Sequence, residues 1–248
     1  MKIIVLLKQV PDLVEDLEVD ASGKTLDTDD IKFKLNEYDD HALEEAILLK
    51  ESGAVDEIIA MAVDGNGTDK MLFTAIAKGA DGAVKLTGGN PADSHELGKA
   101  FSNVLASESY DMIFTGVQSV DDRDGQLGPI IGSYLGIPCV SVVSGIKVSG
   151  DTVVIHKEYS GGMMGEFEVD LPAVMGIQAA KQSPRYAPVS KIRQVQETAA
   201  IKEVSMGDLG SGSGSSVASM APPEKGAGSE MLEDVEELID VLKDKGVI

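Results

Sequence analysis

The order of apolar runs along roughly the first 135 residues restricts the fold more than any other feature of this sequence. Residues 2–7 predict a buried strand, and the residues after Asn36 predict a helix over about 37–51. The same succession of strand and helix recurs over residues 57–78, 83–107 and 110–135. Repeated units of this kind fold most economically as a doubly wound, mainly parallel sheet with right-handed connections. The sequence therefore predicts an α/β fold of the Rossmann-like class.

The helix after Asn36 has a clear apolar side. Asn36 is expected to cap its amino end, because asparagine side chains accept hydrogen bonds from free helix N–H groups. The acids Glu44 and Glu45 are assigned to the solvent-facing side. The inward stripe is expected to consist of Ala42, Leu43, Ala46, Ile47 and Leu49.

The pattern changes after Pro138, where short strands separated by glycine turns replace the alternation of strands and helices. These strands predict an antiparallel section appended to the parallel sheet. The predicted strands cover residues 140–148, 152–159, 166–170 and 171–177, and a short helix is predicted over 189–196. Residues 15–30 are acidic and rich in turns, with a hairpin tip expected at 21–24.

The carboxyl-terminal segment has a different composition. Residues 207–228 are mostly Gly, Ser, Ala and Pro, which predicts a flexible tether. Ser229 is expected to cap a final amphipathic helix. We therefore divide the chain into an α/β domain over residues 1–203 and an arm over 204–248. The arm either packs on its own domain or clamps a second protein chain. Its apolar stripe is Leu232, Val235, Leu238, Ile239 and Leu242.

Composition excludes several classes of function. The chain has 42 acidic against 21 basic residues, a formal charge of −21, which disfavours binding to nucleic acid or anionic membranes. No apolar run is long enough to insert in a bilayer, and the first residues lack a signal peptide, so a cytoplasmic location is expected. The single Cys139 is expected to be a small buried residue, and the three scattered histidines are expected to be structural or exposed.

A polar loop over residues 115–129 separates the fourth predicted strand from the following helix. Loops at the carboxyl edge of a parallel sheet bind ligands, and the amino end of a helix favours an anion such as phosphate. Gly125 and Gly128 would allow close approach to the backbone, and Arg123 is the local cation. The alternative is an ordinary solvated loop. Hydrogen bonds to a sugar or a base could come from Gln118, Asp121, Asp122, Asp124 and Gln126.

Several motifs, taken in order along the whole chain, resemble the beta (small) subunit of the electron transfer flavoproteins. No one of these motifs is specific by itself, whereas their common order is. They are KQVPD at residues 8–12, Asn36 followed by ALEEA at 42–46, TAIAKGAD at 74–81, GVQSVD at 116–121, QLGP at 126–129, LPAV at 171–174, PRY at 184–186 and KGVI at 245–248.

The resemblance implies an adenine-nucleotide-binding subunit of a heterodimer. The larger alpha subunit of such proteins holds a redox-active FAD, and the beta subunit holds AMP or, in electron-bifurcating members, a second FAD. The implied carrier takes electrons from dehydrogenases such as the acyl-CoA dehydrogenases of fatty acid oxidation, with a quinone oxidoreductase as a candidate acceptor. The implied nucleotide contacts are Leu6, Asn36, Glu37, Tyr38, Asp39, Val63, Gln118, Ser119, Val120, Asp121, Asp122, Arg123, Asp124, Gly125, Gln126, Leu127 and Gly128.

Two departures from the family pattern concern these sites. Val117 stands where many members have a basic residue, and the loop over 121–129 mixes the AMP-type and bifurcating patterns, so AMP and FAD both remain open. The family anchors its dehydrogenase through a leucine three residues after an Arg-Tyr pair; here Arg185 and Tyr186 are followed by Val189, which offers less apolar area. The alternative is a rigid turn in which the side chains of Arg185 and Tyr186 pack on the neighbouring chain.

The sequence contains none of the common catalytic motifs of nucleotide hydrolases, serine hydrolases or zinc proteases. We therefore expect an electron carrier with no bond-making chemistry of its own. The alternative is a free-standing adenine-nucleotide-binding sensor or enzyme on a similar fold, against which the apolar stripe of the terminal helix argues. A third possibility keeps the nucleotide as a structural ligand that stabilises the fold.

Overall fold

The computed structural model describes residues 1–210, 212–224, 226, 228–229 and 231–248. These residues form two compact units. The first consists of Met1–Asp16 and Asp29–Ser216, and the second of Leu17–Thr28 and Val217–Ile248. The assignment of residues 204–248 as a docking arm stays a prediction. No helix within the described ranges is long and apolar enough to cross a membrane.

The first unit is built on a nine-stranded sheet flanked by helices. The strands are β1 (Lys2–Leu6), β2 (Gln9–Pro11), β3 (Phe33–Leu35), β4 (Glu57–Val63), β5 (Gly82–Thr87), β6 (Met112–Gly116), β7 (Cys139–Ser149), β8 (Thr152–Tyr159), β9 (Met163–Asp170), β10 (Ala173–Ile177) and β11 (Ile201–Ser205). The helices of the unit are α1 (Glu37–Glu51), α2 (Thr68–Lys78), α3 (Ser94–Leu105), α4 (Leu127–Leu135) and α5 (Val189–Thr198).

The large sheet has the strand order β11-β5-β4-β1-β6-β10-β7-β8-β9. All pairs from β11 to β7 are parallel, whereas β7 with β8 and β8 with β9 are antiparallel. Strands β2 and β3 form a separate antiparallel pair. The predicted fold class, a mainly parallel doubly wound sheet with an appended antiparallel section, is therefore confirmed. The strand predicted over 171–177 was wrongly assigned to the antiparallel section, because it corresponds to β10, which pairs in parallel with β6 and β7.

Helices cover both faces of the sheet because successive residues of a strand point to opposite sides. In β1, Ile3 and Val5 pack in one apolar core with Leu43 of α1. Ile4 and Leu6 pack in a second core with Phe101 of α3. Because β1 is buried on both faces in the middle of the sheet, its carboxyl end lies between the two helical layers.

The structure corrects several predicted boundaries. The helix predicted from residue 130 begins at Leu127, and the strand predicted over 110–114 covers Met112–Gly116. The helix predicted from about residue 90 begins at Ser94, after its cap Asp93. Strand β11 was not predicted, because its two apolar residues are three positions apart and lack the alternation of a half-buried strand. Residues 9–11, for which no strand was predicted, form β2 and pair with β3.

Two predictions about α1 were wrong. Its apolar stripe is buried as expected, but Glu44 and Glu45 are buried too, with exposed fractions of 3% and 1%. They are covered by residues 180–185, which lie along the helix. The side chain of Asn36 does not cap α1. It donates instead to the carbonyl oxygen of Gln118, at 2.9 Å.

The second unit contains the acidic hairpin and the last helix. Val19 and Leu26 form an antiparallel bridge, and Gly23 has φ +68°, so the hairpin tip at 21–24 is confirmed. The last helix, α6 (Val235–Asp244), is capped by Asp234, whose carboxylate accepts from the N–H of Glu237 at 2.9 Å. The predicted start at Ser229 was therefore wrong, and Leu232 precedes the helix. Ser211, Lys225 and Ala227 of the predicted tether lie outside the described residues, as does Glu230.

Candidate functional site

A polar cleft lies at the carboxyl ends of β1 and β6, beside the amino ends of α3 and α4. Eight of the predicted nucleotide contacts line it: Asp39, Gln118, Ser119, Asp122, Asp124, Gly125, Gln126 and Leu127. Five further lining residues were not among those predicted: Lys8, Ser94, Leu97, Gly116 and Val117. The cleft is thus assembled by three separate strand-to-helix connections of the fold.

Lys8 supplies a cation to the cleft. Its ammonium group donates to the hydroxyl of Ser119 at 3.0 Å and to Asp122 at 2.7 Å, and it pairs with Asp121 at 2.9 Å. Burial, the largest influence, lowers the pKa of Lys8, but hydrogen bonds to Asp122 and Asp121 outweigh it, so the pKa is raised. Lys8 therefore stays charged.

Asp39 ties the two strand ends together from the first turn of α1. Its carboxylate accepts from the backbone N–H of Lys8 at 2.8 Å and from that of Gly116 at 2.9 Å. Burial raises the pKa of this carboxyl group to about 7. A Cβ atom at Gly116 would lie 2.3 Å from Asp39 Oδ1, so only glycine allows this close approach.

Asn36 links the same elements one layer behind the cleft. Its backbone N–H donates to the carbonyl oxygen of Lys8 at 2.9 Å, and its side-chain amide donates to that of Gln118. Asn36 is fully buried, and its Oδ1 atom has no hydrogen-bond partner among the described residues. A buried acceptor without a partner is costly, which is consistent with a ligand or a water molecule completing this part of the site.

The acidic loop is closed by its own side chains. The N–H of Arg123 donates to the carbonyl of Ser119 at 2.9 Å. Asp122 accepts from the N–H of Asp124 at 3.3 Å, and Asp124 accepts from that of Gln126 at 3.0 Å. The structure therefore gives these acids a local role in holding the turn and the start of α4.

The amino end of α4 points into the cleft, which Gln126 and Leu127 line. The first N–H groups of a helix have no partner within the helix, and they carry a partial positive charge that favours an anion. Gly128 is buried behind them, and a Cβ atom there would lie 3.4 Å from Cys139 Sγ and from Thr115 Oγ1. Ser94 and Leu97 bring the amino end of α3 to the same place.

The other predicted contacts do not line the cleft. Leu6 is buried in the second core, and the carbonyl of Val63 accepts from the hydroxyl of Thr68 at 3.1 Å. Glu37 is exposed and Tyr38 half-buried at the start of α1. Their role in binding stays a prediction, as it does for Val120, Asp121, Arg123 and Gly128.

A sequence signal existed for Lys8 but not for the residues of α3. Lys8 is the first charged residue after the apolar run of β1, so the parallel sheet places it at the carboxyl edge. Ser94 and Leu97 lie at the start of an ordinary amphipathic helix, and only the packing of α3 beside α4 brings them to the cleft.

The predicted docking residues lie apart from the cleft residues in the sequence. The Arg185 guanidinium is held by Glu44 and Glu51 of α1, at 2.9 and 2.6 Å. Tyr186 and Val189 are exposed, with fractions of 80% and 56%. The contacts of Arg185 thus lie within its own chain, and both the docking role and the alternative of packing on the neighbouring chain stay predictions.

Cys139 and the histidines do not form a second reactive site. Cys139 is only half-buried, whereas a buried residue was predicted, and its burial raises the pKa of the thiol to about 11, which keeps it protonated. His41 accepts a backbone N–H from Ala180, and His156 pairs with Glu166 at 3.2 Å on the exposed antiparallel section.

The fold and the cleft define a class: an open, doubly wound α/β protein with a polar cleft at the carboxyl edge of its sheet. The family model described as the electron transfer flavoprotein domain matches residues 24–208. The chain therefore belongs to the electron transfer flavoprotein family, and within it to the beta subunits.

Three relatives named electron transfer flavoprotein subunit beta support this assignment. The protein from Methylophilus methylotrophus is 39% identical over 215 residues, which cover 85% of this chain and 81% of the relative. The mouse protein is 30% identical over 255 residues, covering 100% and 99% of the two chains. The human protein is 28% identical over 256 residues, with the same coverage. The resemblance drawn from the motifs is thereby confirmed.

Proposed function

We propose that this beta subunit pairs with an alpha subunit and that the heterodimer carries electrons between flavin dehydrogenases, such as acyl-CoA dehydrogenases, and a downstream acceptor such as a quinone oxidoreductase. The names of the relatives support the pairing, because each is described as a subunit. In this proposal the alpha subunit holds the redox-active FAD. The beta subunit contributes binding and docking surfaces in the cytoplasm rather than catalysis.

We further propose that the cleft binds the adenylate moiety that AMP and FAD share. The observation that carries this proposal is the meeting of Lys8 with the amino end of α4 at the carboxyl edge of the sheet. Lys8 and the free N–H groups of α4 suit a phosphate group. Gly116 and Gly125 leave the backbone accessible, and the acids of the loop can accept hydrogen bonds from ribose hydroxyls.

The residues present also fit such a ligand in charge. The acids would repel a phosphate group if they were all ionised and unpaired. Asp121 and Asp122 are instead paired with Lys8, and the pKa of about 7 leaves Asp39 largely protonated below neutral pH. The free N–H groups at the amino end of α4 then provide donors for the ligand. FAD bound here would add a second redox group, whereas AMP would add none.

The test is a count of nucleotides in the purified heterodimer. The chain is co-expressed with its alpha subunit, the complex is denatured, and the released FAD and AMP are quantified. One FAD and one AMP per heterodimer support a simple carrier, and two FAD support a redox cofactor in the cleft. A single FAD with no second nucleotide contradicts the cleft proposal, and the absence of FAD contradicts the carrier proposal.

Replacement of Lys8 tests whether the second nucleotide binds in the cleft. Lys8→Met removes the cation of the cleft, so we expect the affinity for the second nucleotide to fall about tenfold or more. The measurement is the retained AMP or FAD after dialysis. Lys70→Met, at an exposed lysine of α2, is the matched control and should retain the wild-type amount. Equal retention in both variants would contradict the assignment of the site.

A further inference from the structure

The segment over residues 178–188 joins β10 to α5 without regular secondary structure, yet its backbone is held along α1. The N–H of Ala180 donates to His41 Nδ1 at 3.2 Å, and the N–H of Lys181 donates to Glu45 at 3.1 Å. A third N–H, that of Arg185, donates to Glu44 at 2.9 Å. Side chains on one face of α1 therefore accept hydrogen bonds from backbone N–H groups near both ends of the segment. These bonds supply the partners that backbone amides need when they are removed from water.

The side chain of Arg185 strengthens this attachment. Its Nε and Nη2 atoms donate to Glu44 at 3.0 and 2.9 Å, and its Nη1 and Nη2 atoms donate to Glu51 at 2.6 and 3.1 Å. The hydrogen bonds to Glu51 and Glu44 raise the pKa of Arg185. Glu44 itself is only 3% exposed, so its charge depends on the arginine for compensation. The guanidinium group is therefore fully engaged with carboxylates of its own chain.

Apolar side chains are presented beside this attachment. Ala187 is buried, whereas Tyr186 and Val189 are 80% and 56% exposed. Pro184 and Pro188 stiffen the backbone around them. A large aromatic ring and an aliphatic side chain on an ordered backbone lose little conformational freedom on binding, which favours affinity. Without the attachment to α1, the same segment would have to become ordered during docking.

We infer that Glu44 and Arg185 are positioning residues for docking of the flavin dehydrogenase, because they hold the segment in the conformation that presents Tyr186 and Val189. This inference rests on the proposed function. In this view Arg185 does not contact the partner directly; it holds a segment of its own subunit in place. The same inference also gives Glu44, a buried acid of α1, a function that its place in a helical pattern does not indicate.

The test uses the complete heterodimer and an acyl-CoA dehydrogenase reduced by its substrate. Glu44→Gln keeps the shape of the side chain but removes the charge that holds Arg185. We expect the KM for the heterodimer to rise about fivefold to tenfold with little change in kcat, because the loss lies in docking. Hydrogen exchange at the N–H groups of Lys181 and Arg185 should become at least about tenfold faster.

Three further variants make the outcome decisive. Asp40→Asn removes a different ion pair of α1, that with Lys78, and should leave the KM and the exchange rates unchanged. Glu51→Gln removes only the exposed carboxylate, so it keeps the fold and should raise the KM about twofold. Val189→Asp places a charge on the docking surface itself and should raise the KM more than Glu44→Gln does.

The variants separate this inference from the proposal beneath it. If Val189→Asp raises the KM but Glu44→Gln and Glu51→Gln change neither the KM nor the exchange rates, the positioning role is wrong and docking stands. If Val189→Asp leaves the KM unchanged, or the wild-type heterodimer accepts no electrons from the dehydrogenase, the proposed docking is wrong and this inference falls with it. A loss confined to kcat would also overturn the inference.

Discussion

Acidic side chains hold very different partners in two parts of the first unit. In the loop after β6, Asp122 and Asp124 each accept an N–H from a residue two positions further along the chain. On α1, Glu44 accepts from Arg185 across a sequence separation of 141 residues, and Glu45 accepts from Lys181 across 136. The backbone bonds of the loop acids shape their own turn, with Lys8 as the distant partner of Asp122, whereas the helix acids attach the backbone of a distant segment.

Asp39 belongs with the helix acids in this comparison, although it lies at the cleft. Its two N–H partners are 31 and 77 residues away, on the ends of β1 and β6. Helix α1 therefore joins the cleft at its first turn to the segment over 178–188 further along. The number of acids near a site therefore says little about their role until the partners of each carboxylate are known.

The largest expected effect comes from a substitution that disturbs the contacts of the buried Asp39 carboxylate. In Gly116→Ala, the new Cβ atom would lie 2.3 Å from Asp39 Oδ1, 2.7 Å from Tyr38 Cβ and 2.9 Å from the Asp39 backbone nitrogen. Backbone and a buried carboxylate cannot both move away, so we expect a loss of about 3 kcal/mol. The Tm of the heterodimer should fall by about 6–12 °C.

Gly65→Ala is the matched control for this substitution. Its Cβ atom would meet only Thr68 Oγ1, at 3.6 Å, which is an ordinary contact. We expect its Tm to change by less than about 2 °C. If the two alanine variants melt alike, the close approach of Gly116 to Asp39 is not a constraint on the fold, and the long-range role of Asp39 loses its support.

A smaller effect is expected from the protonation of Asp39. Because burial raises its folded-state pKa to about 7 from an ordinary value of 3.8, the folded protein keeps a proton that the unfolded chain loses. The resulting stabilisation is complete below the unfolded pKa and is lost as the pH rises towards 7. From pH 5 to 7.5, the stability of the wild type relative to Asp39→Asn should fall by about 2 kcal/mol.

Melting curves of both heterodimers at several pH values measure this difference. Glu51→Gln is the control, because the hydrogen bond to Arg185 lowers the pKa of Glu51 and completes its ionisation below this range. Its difference from the wild type should therefore not vary between pH 5 and 7.5. A constant difference for Asp39→Asn as well would mean that Asp39 stays ionised throughout, which contradicts the expected shift.

The same comparison explains what the sequence could predict. The strands and the stripe of α1 through Ala42 and Leu43 follow from periodicity, because they reflect the local geometry of strands and helices. The site loop was predicted because its turn residues and its place after a strand are also local features. Asp124 belongs to the part that could be predicted, since its partner is two residues away, whereas Asp122 also accepts from the distant Lys8.

The errors concern contacts that arise only in the folded chain. Periodicity assigned Glu44 and Glu45 to solvent, because it cannot show that a segment more than 130 residues away covers them. Strand β11 lacks alternation and forms because β5 offers a free edge. Asn36 fits the pattern of a helix cap, but the nearby carbonyl of Gln118 takes its side-chain amide. In each case tertiary contacts outweighed a local preference.

The smallest expected effect comes from a substitution of Asp124, a loop acid whose hydrogen bond is to a residue close by in the sequence. Asp124→Ala removes the acceptor for the N–H of Gln126, which precedes α4, so we expect a loss of about 1 kcal/mol and a Tm lowered by about 2–4 °C. Asp124→Asn keeps an oxygen acceptor and should lose less than half of that. If Asp124→Ala destabilises the heterodimer as much as Gly116→Ala does, the two classes of acid do not differ. If Asp124→Asn matches Asp124→Ala, the charge of Asp124 matters more than its hydrogen bond, and the aspartate then acts on α4 chiefly through the helix dipole.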